Sequence, residues 1–134
     1  MAYKTDDLVK DQACNYLKNN ATRLALCAGS PADFSEANTA LGSGSGKKLG
    51  DVTVDSSDFT TQDGPTDGRE CNCAAQSVTI ATAGNADHVA WLDVANSRLL
   101  HVTQLSGTLS GLTVSQVVAV PEHAYILRDT IAAT

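Results

Sequence analysis

Three β-rich runs between Ser77 and Leu105 do most to limit what this chain can fold into. Val78-Thr79-Ile80-Ala81-Thr82 is the first, His88 to Val94 the second, and Arg98 to Leu105 the third. Ala83-Gly84-Asn85-Ala86 and Ala95-Asn96-Ser97 separate them. Short alternating runs punctuated by Gly, Asn and Ser predict an antiparallel meander. The single tryptophan, Trp91, lies on the middle run, which is therefore expected at the centre of the core.

Other segments extend this pattern in both directions. Thr5 suits a helix N-cap, with Asp6 and Asp7 favourable to the helix dipole. Leu8, Val9, Ala13, Tyr16 and Leu17 recur at helical spacing, so residues 6–19 read as a short amphipathic helix that Asn19-Asn20 end. Thr22 to Cys27 alternates as a strand with Leu24 and Leu26 on the buried side. Gly29-Ser30-Pro31 turns the chain, and residues 33–41 read as a loop with one helical turn. Leu49 to Val54 is a half-buried strand, Ser56 to Gly68 a polar, acidic loop, and Arg69 to Gln76 a further strand. After a turn-rich link at 106–111, Val114 to Val120 and Ala124 to Arg128 complete the set.

About eight short strands and one N-terminal α-helix make the chain mainly β, an antiparallel β-sandwich or a jelly-roll-like barrel. At 134 residues it is read as one domain, 1–134, with 1–5 and the Gly/Ser stretch 42–48 flexible.

The formal net charge of -6, with no basic run longer than Lys47-Lys48, argues against a nucleic-acid partner. No apolar stretch approaches the roughly 18 residues of a membrane span. The opening Met-Ala-Tyr-Lys-Thr-Asp-Asp lacks the apolar core of a secretion signal, so synthesis in a cytoplasm is expected.

Motifs that suggest chemistry fail on spacing. Gly42-Ser43-Gly44-Ser45-Gly46-Lys47-Lys48 has Leu41 where a phosphate-cradling loop needs its first glycine, and Lys48 where it needs a hydroxyl. Nor does the string make a Gly-x-Ser-x-Gly nucleophile elbow, because Gly44 stands where the serine would be. The carboxylates Asp51, Asp55, Asp58, Asp63, Asp67 and Glu70 fit no calcium-loop register. Cys71 and Cys73 share one face of a strand, where a bond between them would be strained. Cys14 and Cys27 lie on the helix and the first strand, which could meet. Neither zinc spacing nor a second Cys pair accompanies them. Buried free thiols are the expectation in a cytoplasmic product; the alternative is a disulfide formed later in an oxidising exterior, with Cys71 or Cys73 reaching another segment or subunit. No catalytic set, metal site, cofactor or small-molecule substrate is expected.

Several blocks resemble a pattern found in small virion structural proteins of tailed bacteriophages. They are Leu24-Ala25-Leu26-Cys27-Ala28-Gly29-Ser30-Pro31, Phe34-Ser35-Glu36-Ala37-Asn38, Leu41-Gly42, Arg69, residues 86–93, Ser97-Arg98-Leu99-Leu100 and Ile126-Leu127-Arg128-Asp129. The Gly/Ser loop and the Cys71-x-Cys73 pair depart from that pattern. The resemblance implies a non-enzymatic capsid decoration, or cement, protein on the capsid exterior, made in the bacterial host cytoplasm. Its partners would be the major capsid protein and copies of itself, a trimer by analogy with decoration proteins at threefold positions. A neck, tail or fibre-associated component is the alternative within the virion. A small ligand-binding or enzymatic β domain is the alternative of another class, and would need a concave site to which groups such as His88, His101 and Asp93 contribute.

Overall fold

The computed structural model describes residues 5–128. The fold is mainly β and sandwich-like, with a helix at the N-terminal side. Of the expected flexible end, residues 1–4 lie outside the described residues.

Chain order is α1 (Asp7–Asn20), β1 (Arg23–Cys27), α2 (Phe34–Asn38), β2 (Lys48–Thr53), a 3-10 turn (Ser56–Asp58), β3 (Phe59–Asp63), β4 (Arg69–Cys73), β5 (Gln76–Ile80), β6 (Gly84–Asp93), β7 (Arg98–Leu112), β8 (Val117–Val120) and β9 (His123–Leu127). Six strands form one sheet in the order β7-β6-β1-β2-β5-β8, and three form another in the order β3-β4-β9. Every strand pair is antiparallel.

The expected meander is not formed. Of its three runs only β6 and β7 pair with each other, as a hairpin, while β1 and β2 lie between β6 and β5. The reason is the apolar content of β1. Leu24 and Leu26 enter the core between the sheets, while Ala25 and Cys27 enter a second cluster with Ala37, Ala90 and Leu92. A strand apolar on both faces buries most surface in mid-sheet, where both faces are covered. The short helix α2 covers the second face through Ala37 and Phe34.

Residues 69–76, expected as one strand, divide at Ala74-Ala75 between the two sheets. Cys71 and Cys73 are fully buried from β4, and Val78 and Ile80 are buried from β5. Odd positions face inward before the break and even ones after it. That change of parity marks the chain stepping from one sheet to the other.

Other boundaries differ from expectation as well. The acidic stretch after Ser56 contains β3, whose Phe59 is buried. The turn-rich link 106–111 is part of β7, which sets 15 residues against the 10 of β6. The surplus is absorbed by register shifts beside Gly84, Ala86 and Trp91, while Leu105, Leu109 and Leu112 still pack on the core. The helix is capped by Asp6, whose side chain accepts from the Leu8 amide, and not by Thr5.

The buried face of α1 also differs. Lys10, Cys14 and Leu17 are buried, whereas Leu8, Val9 and Tyr16 are exposed. Leu17 and Cys14 reach the core, and the helix packs against β3 and β4. Arg69 of β4 donates from Nε to Asp11 of α1 at 2.7 Å. Among the described residues, no helix is long and apolar enough to cross a membrane.

Candidate functional site

Where the two sheets meet, the inward faces of β6, β7 and β9 bring together the densest group of polar rings. Trp91 is fully buried at the middle of β6. Phe59 packs edge-on against it at 5.0 Å between ring centroids, and His101 of β7 lies tilted against it at 4.7 Å. From β9, His123 approaches Trp91 at 5.5 Å and Tyr125 approaches His101 at 5.1 Å. Alternation along β9 turns His123 and Tyr125 to the same side, opposite Cys73 and Cys71 of β4.

The hydrogen bonds define the state of His123. Trp91 Nε1 donates to its Nε2 at 2.7 Å, so that nitrogen is an unprotonated acceptor. The proton therefore resides on Nδ1, which donates to the Pro121 carbonyl at 2.9 Å. His101 Nε2 lies 2.8 Å from Thr103 Oγ1. Burial pushes the His101 pKa down to about 4, and the neighbouring His123 acts in the same direction. Burial also lowers His123, partly opposed by its bond to Pro121. Both imidazoles are neutral near pH 7 and serve as hydrogen-bonded packing groups joining the sheets.

The groups considered for an enzymatic site do not converge. His88 Nδ1 lies 2.8 Å from Asp87 Oδ1, and Asp87 also accepts from the Gly29 amide at 2.6 Å. Those two bonds, His88 first, hold the Asp87 carboxyl below its ordinary range. Asp93 is buried where β6 turns into β7 and accepts from the amide and side chain of Asn96. His101 belongs to the ring cluster instead.

All four cysteines are free and buried. Cys14 and Cys27 do not meet, because they belong to the two different apolar clusters on opposite sides of β1. Cys14 lies instead beside Cys71, whose Sγ is 3.8 Å from the Cys14 carbonyl. Burial pushes the thiols of Cys27, Cys71 and Cys73 up to about 12, and burial first, then Asp11, raises Cys14. A thiol in that range supplies almost no thiolate.

The Gly/Ser loop turns its amides onto its own chain. The Ser43 amide bonds Ala40 O, the Gly46 amide bonds Ser43 O, and Lys47 and Lys48 amides bond Glu36 and Thr39 carbonyls. A Cβ at Gly46 would come within 2.3 Å of Ala40 O, so only glycine lets the loop close there. The lysine side chains are paired as well, Lys48 with Asp51 at 2.7 Å and Lys47 with Glu36 at 3.8 Å. The acidic segment is likewise self-satisfied. Asp55 and Asp58 form a capping box, and Asp63 and Asp67 meet Arg69 and Arg128. Among the described residues no cluster of three or more His, Cys, Asp or Glu is placed to hold a metal.

A cleft of about 290 Å³ opens where β7 bulges away from β6. Leu105, Ser106, Gly107, Thr108, Leu109 and Pro121 line it, and none of these side chains is ionisable. Leu105 and Leu109 of its lining pack on the core that holds Trp91, and the Pro121 carbonyl accepts from His123 of the ring cluster. Spacing in the sequence marks Trp91 as central, but the convergence of His101 and His123 on it depends on the pairing of sheets. Comparison of the chain with protein-family models, with curated proteins and with solved structures finds no match.

Proposed function

We propose that this protein is a non-enzymatic structural subunit of a phage virion, a capsid decoration or cement protein that bridges major capsid subunits on the outside of the head. The observation that carries this reading is the set of open strand edges. β7 and β8 end the large sheet and β3 and β9 end the small one, each with a single strand neighbour. Such edges offer unpaired backbone groups to a neighbouring chain. The resemblance of residues 24–42 and of the later blocks to virion proteins supports the same reading. So does the inward commitment of the polar rings and thiols, which leaves the reactive groups engaged in packing. An acidic surface of net charge -6 calls for basic patches on the shell.

Addition of the purified chain to expanded, undecorated heads tests this. Saturable binding in hundreds of copies, with raised resistance to heat or chelator, is the expected result. Tens of copies or fewer, located at the portal end or tail, would place the protein in the neck, tail or fibre. Turnover of a small molecule that is lost in a His101→Ala variant of native fold would overturn the structural reading.

A further inference from the structure

We infer that the six-stranded sheet continues from one copy of this chain into the next, with β8 of one copy pairing antiparallel to β7 of its neighbour. The inference rests on the structural-subunit reading and names a second copy of the chain as the partner at the sheet edge.

Topology makes the contact available without inverting either copy. The sheet has six strands, all antiparallel to their neighbours, so its two edges run in opposite directions. A neighbour turned about an axis along the strands therefore presents its β7 antiparallel to β8. Such a head-to-tail contact uses two different surfaces, so it builds a ring or a filament and does not stop at a dimer.

The register supplies matched ends. One row of directly opposed residues crosses the whole sheet, from Val102 through Ala90, Ala25, Asp51 and Thr79 to Val117. Both ends are valine on the same face, and Val117 is 66% exposed. Joining copies sets these β-branched side chains beside one another, a favourable cross-strand pair. Register shifts fall on either side of His101–Gln104, whose four residues pair with His88–Trp91 without interruption. This regular piece matches the four residues of β8 in length.

Charge selects the partner. The chain carries 15 acidic and 9 basic residues, so two copies bear like net charge and repel overall. Residues 99–121, which supply all of β8 and all of β7 beyond Arg98, contain no Asp, Glu, Lys or Arg. Nor does either strand contain proline or an edge lysine, the usual guards against strand addition. These two edges are where copies of an acidic chain meet without like-charge repulsion.

Sedimentation equilibrium of the purified chain tests the contact. The expected mass is at least three times the 13.9 kDa of the single chain. Val117→Lys and, separately, Gln104→Lys each block one edge, and each is expected to sediment as a 13.9 kDa monomer with an unchanged far-UV circular dichroism spectrum. Mixed in equal amounts, the two variants retain one good edge apiece and should form a dimer that grows no further. Wild-type monomer, wild-type dimer, or a V117K assembly as large as the wild type overturns the inference. Should V117K fail to fold, Gln104→Lys alone decides by the same criterion. Monomers that bind phage heads would overturn this inference and leave the virion reading standing, whereas assembly without head binding would do the reverse.

Discussion

His123 holds both ring nitrogens in hydrogen bonds, one from Trp91 and one to Pro121, and that leaves no room for a second proton. Truncation by His123→Ala leaves the buried Trp91 N–H without a partner, a loss of about 1–3 kcal/mol. Urea denaturation at pH 7.5 measures it, and an unchanged midpoint would refute the structural role of this bond. Protonation acts in the same direction. In the folded chain both His101 and His123 lie below the ordinary imidazole value of about 6.5, so the unfolded chain binds more protons as pH falls. Stability is therefore complete above about pH 6.5 and declines as pH falls toward the His101 value of about 4. The lowered carboxyls of Asp55 and Asp87 act only below their ordinary value of 3.8, which separates the two effects. The urea midpoint should drop between pH 7.5 and pH 4.5, and by less in His101→Phe. For the thiols, burial predicts that a disulfide reagent at pH 8 titrates none of the four in the folded chain and all four in guanidinium. Rapid reaction of Cys71 in native buffer would contradict this placement.

At the scale of the element, α1 shows how spacing alone misleads. Leu8, Val9 and Tyr16 share a face that reads as apolar, yet Leu8 is 67% and Val9 61% exposed. The packed face instead carries Leu17, Cys14 and the buried Lys10. Lysine reads as polar in any pattern, but its long apolar stem can be covered while its amine bonds nearby oxygens, here Asp7 Oδ1 at 3.3 Å and the Thr5 carbonyl. Leu17→Ala should lower stability by about 2–4 kcal/mol, while Val9→Ala should stay within about 0.5 kcal/mol. Chemical denaturation of the two variants side by side reads the difference, and equal losses would mean that the helix faces the other way. The β4–β5 break was legible in principle from the parity change between Cys73 and Val78. β3 was hidden because Phe59-Thr60-Thr61 is embedded among aspartates, of which Asp63 meets its partner Arg69 only once β3 pairs with β4.

For the whole molecule, the single tryptophan sits where both sheets meet, touching Phe59 of the small sheet's first strand and His101 of the large sheet. Loss of either sheet removes its packing. Tryptophan fluorescence and far-UV circular dichroism should therefore report one coincident unfolding transition. Two separated midpoints would show the sheets to be independent units. Backbone proximity reinforces this at Gly50, where a Cβ would lie 2.5 Å from Thr79 O, so β2 and β5 approach as only glycine allows.

Taken alone, the order of apolar and polar residues determined that the chain is mainly β, that a helix precedes the strands, and that Trp91 belongs to the core. Those properties follow from local periodicity and side-chain size, which act over a few residues. Tertiary structure alone decided which strands are neighbours, which face of α1 is buried, and that His101, His123 and Cys71 meet their partners. Each of these outcomes depends on surfaces brought together from distant parts of the chain, where β1, apolar on both sides, takes the middle of the sheet and displaces the hairpin order that spacing suggests.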